Sequence, residues 1–268
     1  MRAWMMGASV LAVAGAAFAG PEREGWRLAW SDEFDKPGLP GTNKWTYETG
    51  FVRNKELQYY TKARQENARV ENGSLVIEGR KEEYRCPDGK PAHYTAASLT
   101  TAGLFAQTYG RVEVRAKLPR GRGMWPAIWM LGANIDAVGW PKCGEIDIME
   151  AVGHEPDKVF ATVHWFGHEK GQHASFGGNL KDQAPSDDFH VYAVEWFVDR
   201  MDFYYDESLY FTYPVEKAGT GGKNPFHQPH YLLINLAIGG GWGGQKGIDD
   251  SIFPQQYLID YVRIYKKE

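Results

Sequence analysis

Short alternating runs separated by turn residues constrain the fold of this 268-residue sequence more than any other feature. Residues 111–118 (RVEVRAKL) alternate charged with apolar side chains without exception, the pattern of an antiparallel strand with one buried face. Residues 124–131 (MWPAIWML) are apolar on both faces, which indicates a strand inside a sandwich whose second face lines a site. No stretch of ten residues or more has a helical period. The sequence therefore predicts an all-β antiparallel sandwich.

Three carboxylates interrupt the otherwise mostly apolar segment PKCGEIDIMEAVGH. Strand side chains alternate between faces, so Glu145 and Asp147 share one face whereas Glu150 has the wrong parity. Glu150 joins the other two acids only if the strand carries one extra residue, and β-bulges are frequent beside active sites, where they re-aim a side chain. We therefore predict a bulge near Ile148 and Met149. Two carboxyl groups facing one gap indicate hydrolysis of a glycosidic bond.

Charge and aromatic content limit the classes of ligand. The formal net charge of −4 gives no basic surface for nucleic acid, so polyanions are excluded as partners. The chain has 10 Trp, 15 Tyr and 13 Phe residues, more than a core of this size needs, and the surplus predicts rings that stack on the apolar faces of sugars. Trp125, which follows a glycine turn, is a candidate for this role. For Trp129, core packing is an equal alternative.

Two segments rich in glycine predict loops. Residues 167–186 are polar and contain several Gly and His residues, so we expect a polar loop there. Residues 239–247 (GGGWGGQKG) predict a flexible loop with a single aromatic residue, Trp242. An exposed tryptophan is unfavourable unless it covers a ligand, which makes Trp242 a second candidate for sugar stacking.

The first twenty residues indicate export. They contain one arginine, a short apolar run and an A-x-A signal, so we expect residues 1–19 to be a secretory signal peptide and residues 20–268 a single domain. A membrane anchor is the alternative, but the run is short for a span and lacks a charge on its far side. The mature protein is expected to be secreted or periplasmic and to have no membrane span. In an exported chain, Cys86 and Cys143 form either one disulfide or two buried free thiols.

The acidic segment, residues 145–150, resembles the E-[ILV]-D-x-x-E signature of glycoside hydrolase family 16, and specifically of its bacterial laminarinase-like endo-1,3-β-glucanases. Further strings similar to that group lie at residues 30–34 (WSDEF), 56–61 (ELQYYT), 125–132 (WPAIWMLG) and 260–265 (DYVRIY). The resemblance implies a β-jelly roll of the concanavalin A type with a substrate cleft on its concave side. It also implies the branch of the family whose catalytic strand is bulged.

The resemblance implies roles for individual residues. The family retains anomeric configuration, with Glu145 matching the nucleophile, Glu150 the general acid/base and Asp147 a residue that tunes Glu145. Glu150 must carry a proton to donate, so we expect its pKa to be raised while Glu145 stays ionised. His164 is expected near the acid/base. The residues that match substrate-binding positions are Asn54, Trp125, Trp129, His164 and Trp242.

Two further implications concern substrate preference and metal. Ser98 stands where many relatives have arginine, which puts one glucan contact in question. Family members often bind a structural calcium ion, and Glu33, the carbonyl of Gly73 and Asp260 match its ligands; oxygen-only ligation suits this hard cation, and solvated acids in turns are the alternative. No cofactor is expected for catalysis.

Three functions fit the sequence. The first is a monomeric, endo-acting, retaining hydrolase of laminarin-type β-1,3-glucan, with mixed β-1,3/1,4-glucan as a further substrate. The second is a hydrolase of galactans such as agar or carrageenan, which the slightly acidic chain disfavours because sulfated galactan favours a basic cleft. The third is a glucan-binding protein on the same sandwich without catalysis, and the presence of all three acids argues against it.

Overall fold

A computed structural model describes residues 23–167, 169–182 and 185–268. The predicted signal peptide, residues 1–19, lies outside these ranges. The described strands are β1 (Trp26–Asp32), β2 (Thr46–Glu48), β3 (Gln58–Tyr60), β4 (Ala68–Glu71), β5 (Ser74–Arg85), β6 (Pro91–Ala96), β7 (Ser98–Thr100), β8 (Gly110–Lys117), β9 (Met124–Gly132), β10 (Glu145–Glu150), β11 (Lys158–Gly167), β12 (Gln172–Lys181), β13 (His190–Trp196), β14 (Arg200–Tyr205), β15 (Ser208–Pro214), β16 (His230–Ile238) and β17 (Gln255–Lys267).

Helical structure is confined to single turns in the described residues. They are the α-helical turns α1 (Ile135–Val138) and α2 (Gly240–Gly243) and the 3-10 turns Val215–Ala218, Gly221–Lys223, Pro225–His227 and Asp250–Ile252. No helix in this part of the chain is both long enough and apolar enough to cross a membrane.

Two sheets make up the body of the domain. The larger has the order β15-β14-β13-β8-β17-β5-β6-β3, with β1 also pairing with β17 and β4 with β5, and the smaller has the order β12-β11-β10-β9-β16-β7-β2. Among the described strands, the pairing of β3 with β6 is parallel and the others are antiparallel. The predicted antiparallel sandwich is therefore confirmed, with one short parallel pair that the sequence did not indicate.

Apolar side chains of both sheets meet in one core. Strand β8 contributes Val112 and Val114, and β9 contributes Ile128 and Met130, as the alternation of each strand predicted. The other face of β9 carries Trp129 and its neighbours, which form a separate small cluster on the outer side of the smaller sheet. Strand β9 is thus apolar on both faces for two reasons, the core on one side and a site on the other.

The charged face of β8 is less solvated than its alternation suggests. Arg111 is fully buried, and its guanidinium donates to Glu113, Glu195 and Glu207 at 2.9, 3.1 and 3.2 Å. A buried charge without partners is very unfavourable, so this arginine depends on the carboxylates that surround it. Part of the charged face of β8 is therefore buried, as its apolar face is.

The loop predicted for residues 167–186 is wrong. Strand β12 lies within this segment and pairs with β11 over ten residue pairs at the edge of the smaller sheet. An edge strand buries little, so its polar composition hides it from a search for apolar runs. Small residues allow close packing here, since a Cβ on Gly178 would lie 2.7 Å from the Phe211 ring.

Both cysteines are free thiols. Cys86 and Cys143 are buried and unbridged in the structure, so the second of the two alternatives drawn from the sequence holds.

Candidate active site

The predicted bulge lies in the acidic strand β10. Across β9, Asp147 pairs with Trp129 and Met149 pairs with Ile128, so Ile148 is an extra residue with no partner of its own. The register of β10 against β11 shifts over the same interval. The bulge near Ile148 and Met149 is therefore confirmed.

The bulge determines which side chains of β10 enter the core and which lie on the outer face of the sheet. Ile148 and Met149 both enter the core, where they are 1% and 0% exposed. Two successive core residues restore the parity of Glu150, which lies on the outer face with Glu145 and Asp147. One inserted residue thus brings the three acids to the same side of the sheet.

A cavity of about 750 Å³ covers the outer face of the smaller sheet. Its lining includes every residue that the sequence indicated for catalysis or substrate binding, namely Asn54, Trp125, Trp129, Glu145, Asp147, Glu150, His164 and Trp242. It also includes side chains to which sequence analysis gave no role, among them Arg53, Trp140 and His173. The acids therefore face an open, partly aromatic cleft.

Glu145 is held by an exposed tryptophan. Trp140 Nε1 donates to Glu145 Oε2 at 2.8 Å, and the indole is 49% exposed at the rim. The other oxygen, Oε1, lies 3.8 Å from His164 Nε2. The signal in the sequence that could have identified Trp140 is a tryptophan followed by a proline, five residues before the first acid.

Asp147 is the most deeply placed of the three acids, at 3% exposed. His164 Nε2 lies 3.1 Å from Asp147 Oδ2, yet the buried Oδ2 has no aligned hydrogen-bond partner among the described residues. On the other side of its ring, His164 Nδ1 is 2.8 Å from His173 Nε2. His164 therefore contacts Asp147 and Glu145, and it lies near enough to Glu150 to favour the carboxylate form of that residue as well.

Glu150 has an aromatic environment. Trp125 Nε1 donates to Glu150 Oε1 at 3.0 Å, and the Trp125 ring meets Trp242 edge to face with centroids 5.6 Å apart. Trp242 in turn packs on Phe160, the cross-strand partner of Glu150, at 5.0 Å. Both predicted stacking residues thus lie around the third acid.

Glycines let the segment containing Trp242 approach the cleft. A Cβ on Gly243 would lie 2.9 Å from Trp125 Cβ, and one on Gly240 would lie 3.1 Å from the carbonyl oxygen of Asn54. The amide of Gly241 donates to that same carbonyl at 2.9 Å. The segment predicted as a flexible loop is therefore a helical turn held against two walls of the cavity, and side chains would separate it from them.

An arginine also lines the cavity. The Arg53 guanidinium lies 4.8 Å from the centroid of the Trp129 ring and forms an ion pair with Glu48. Ser98 is fully buried and donates to the other oxygen of Glu48 at 2.6 Å. The residue that departs from the family pattern therefore supports Arg53 through Glu48 and does not itself line the cavity.

Buried hydrogen bonds fix Trp129 from below. Its Nε1 donates to Asn235 Oδ1 at 2.7 Å, and Asn235 donates to the Tyr60 hydroxyl at 2.9 Å. Tyr60 donates to Glu56 at 3.3 Å, and Glu56 also accepts from Asn54 at 3.2 Å. Trp129 is 6% exposed, so it is both a packed residue and part of the cavity floor.

Removal from water raises the pKa of all three acids. Burial, with the charge of Asp147 second, raises the pKa of Glu145 to about 8, and burial raises that of Asp147 to about 8. The pKa of Glu150 is well above its usual range, again because of burial and then the charge of Asp147. The expectation for Glu150 is confirmed in direction, whereas Glu145 is raised as well.

Different neighbours act on the carboxyl groups of Glu145 and Glu150. The carboxylate form of Glu145 is favoured by His164, the Trp140 N–H group and Arg53. That of Glu150 is favoured by the Trp125 N–H group and His164, against two neighbouring acids. The three acids therefore share protons, and the arrangement can supply both a carboxylic acid and a carboxylate to one bound molecule.

The predicted calcium ligands lie outside this cavity, and two of them, Glu33 and Asp260, bind arginines. Arg263 contacts both oxygens of Glu33, at 2.7 and 3.0 Å, and Arg115 donates to Asp260 Oδ2 at 2.7 Å. Gly73 lies in the turn between β4 and β5. Glu33 fits a cation only if Arg263 releases it.

Comparison with known proteins gives concordant results. The profile of the family described as glycosyl hydrolases family 16 matches residues 55–263. A β-glucanase from Rhodothermus marinus is 47% identical over 90% of this chain and 85% of its own length. The X-ray structure of the laminarinase from the same organism has a TM-score of 0.82, with 90% of this chain and 97% of that chain covered.

A second solved structure contains a glucan. It is a variant of SCLam, described as a non-specific endo-β-1,3(4)-glucanase, with 1,3-β-D-cellobiosyl-glucose at its active site. It is 43% identical, has a TM-score of 0.84, and covers 91% of this chain and 96% of that chain.

We predict that Glu145→Gln stabilises the protein more at alkaline than at acid pH. A folded-state pKa of about 8 against an ordinary 4.5 means that the folded protein keeps a proton that the unfolded chain loses. The stability from this proton is fully present below about pH 4.5 and is lost as the pH rises through about 8. Denaturant unfolding at about pH 4 and pH 9 should show a larger gain at pH 9, by at least about 1.4 kcal/mol, the value of one pKa unit.

Glu216→Gln is the matched control, because Glu216 is exposed. It should change stability little at either pH. An equal gain from Glu145→Gln at both pH values would contradict the raised pKa.

Proposed function

The chain belongs to glycosyl hydrolase family 16, with the β-jelly-roll sandwich of its laminarinase relatives, and we propose that it is an endo-acting, retaining β-1,3-glucanase that also cleaves mixed β-1,3/1,4-glucan. The observation that carries the proposal is the bulge at Ile148, which sets Glu145, Asp147 and Glu150 along one wall of an aromatic cleft. The names of the relatives support the linkages: β-glucanase, laminarinase and non-specific endo-β-1,3(4)-glucanase.

In the proposed first step, a glycosyl ester forms. Glu150 donates its proton to the glycosidic oxygen as the bond to C1 breaks, and Glu145 attacks C1 from the opposite side of the sugar. Trp140 holds Glu145 Oε2, which leaves Oε1 as the attacking atom. Burial raises the pKa of Glu150 well above its usual range, which suits the residue that must donate a proton.

In the proposed second step, water releases the sugar from its ester with Glu145. Glu150, now a carboxylate, accepts a proton from water while the water oxygen attacks C1 and frees Glu145. Two inversions give net retention. Asp147 lies between the two glutamates in the motif. Its charge acts on both of them, so it tunes their protonation in each step.

Stacking and charge account for sugar binding in this proposal. Trp125 and Trp242 offer rings around Glu150, and Trp129, on which Arg53 packs, lines the floor opposite Asp147. Asn54 offers its exposed amide at the edge of the cavity, and His164 lies beside Glu145. An open cleft lined along its length suits internal cleavage of a polymer.

We also propose that the protein is exported and acts as a monomer. The sequence of residues 1–19 supports export. A mature N-terminus at Gly20, found by sequencing the protein recovered outside the cytoplasm, would agree with export; an intact Met1 there would not.

The proposal also includes a structural calcium ion. It would bind Glu33, the Gly73 carbonyl and Asp260, with Arg263 displaced from Glu33. Added calcium should then raise the unfolding temperature after treatment with chelator, and Glu33→Gln should remove the effect. An unfolding temperature that does not respond to calcium would exclude the site.

The proposed substrates are tested by a panel. Release of reducing ends should be high from laminarin, lower from lichenan and absent from agarose and carrageenan, and Glu145→Gln should lower it by at least about a thousandfold with an unchanged circular dichroism spectrum. Activity on galactans alone would support the galactan hydrolase. Binding of laminarin without any hydrolysis would support the glucan-binding protein.

A further inference from the structure

Three donor atoms converge beside Glu145. One donor atom from each of Glu145, Asp147 and His164 lies within 4.8 Å of the other two. Among the described residues, these three form the group of acidic and histidine side chains that could hold a metal ion. His164 Nε2 is 3.1 Å from Asp147 Oδ2 and 3.8 Å from Glu145 Oε1. Donors bound to one tetrahedral ion at about 2.0–2.2 Å would lie at similar separations from each other.

One of these donor atoms, Asp147 Oδ2, has no aligned hydrogen bond. Asp147 is 3% exposed. Its Oδ2 has no aligned hydrogen-bond donor among the described side chains, although it lies 3.1 Å from His164 Nε2. A buried carboxylate oxygen without a partner is costly. A cation between Oδ2 and Nε2 would satisfy both atoms at once.

The surrounding residues fix the directions of the three donor atoms, which contact one another. Trp140 binds Glu145 Oε2 and thereby leaves Oε1 turned toward His164. His173 Nε2 lies 2.8 Å from His164 Nδ1, so if Nδ1 donates to His173, the lone pair of Nε2 faces the acids. Histidines that bind metals commonly have the second ring nitrogen held in this way.

From this geometry we propose that Glu145, Asp147 and His164 bind a divalent cation of the Zn²⁺ class, which competes with glucan. One imidazole nitrogen and two carboxylate oxygens suit Zn²⁺, whereas Ca²⁺ and Mg²⁺ prefer more ligands, all of them oxygen. Glu145 and His164 keep part of their side chains exposed to the cleft, at 17% and 21%, so water can complete the coordination.

The consequence is reversible inhibition. A bound ion occupies the oxygen of Glu145 that would attack the sugar, so metal and productive substrate exclude one another; this part rests on the proposed function. Binding requires both carboxylates to be ionised and His164 to be neutral, and protons held by the motif are released. No catalytic step uses the ion.

Calorimetric titration of the untagged chain with ZnCl₂ tests the site without relying on activity. Wild type should bind one ion per chain, and Asp147→Asn and His164→Asn should each weaken binding by at least about tenfold, because each removes one of three ligands. His173→Ala should weaken it by about ten- to a hundredfold through loss of the support to His164.

Glu150→Gln is the matched control. It removes an acid of the same strand that is outside the donor set, so it should bind Zn²⁺ within about twofold of wild type while its hydrolytic activity is lost. This separates the two proposals, because zinc binding by an inactive chain does not depend on the function. Circular dichroism of each variant shows whether it has folded.

Inhibition kinetics complete the test. Zn²⁺ should inhibit laminarin hydrolysis competitively and EDTA should reverse it, whereas Ca²⁺ and Mg²⁺ at equal concentration should not inhibit. Equal zinc affinity in wild type, Asp147→Asn and His164→Asn would overturn the proposal, as would zinc affinity lost in Glu150→Gln as strongly as in Asp147→Asn.

Discussion

The site depends on one inserted residue in one strand. With strict alternation of the six residues of β10, Glu150 would face the core with Ile146 and Ile148, where an ionisable group without a partner is very unfavourable. The bulge at Ile148 sends two successive apolar side chains inward and turns Glu150 outward. Core packing and catalytic geometry are therefore set by the same local distortion, and neither can change without the other.

Proton sharing follows from that placement. Three acids on one face of a short strand, in a cleft that removes them partly from water, cannot all be ionised without large repulsion. Their N–H partners come from elsewhere: Trp140 precedes the strand and Trp125 lies on β9. These contacts, with His164, favour the carboxylate forms of Glu145 and Glu150 against the effect of burial.

Much of this arrangement could be predicted from the sequence, because it is local. The parity of the acids demanded the bulge, and the two apolar faces of β9 indicated a core side and a site side. What the sequence did not reveal depends on distant pairing. Strand β12 is polar because it lies at a sheet edge, so His173 was assigned to a loop. The register of β10 on β11, which sets His164 opposite Glu145, also depends on pairing that the sequence alone did not reveal.

The central claim is that the bulge presents Glu145 as nucleophile and Glu150 as acid/base, and azide trapping with an aryl β-laminaribioside tests it most directly. Such a leaving group departs without protonation, so Glu150→Gln should still form the ester on Glu145, and azide should open it to the β-glycosyl azide. Glu145→Gln cannot form the ester, so azide should attack directly and give the α-glycosyl azide. An α-azide from Glu150→Gln or a β-azide from Glu145→Gln would contradict the assignment.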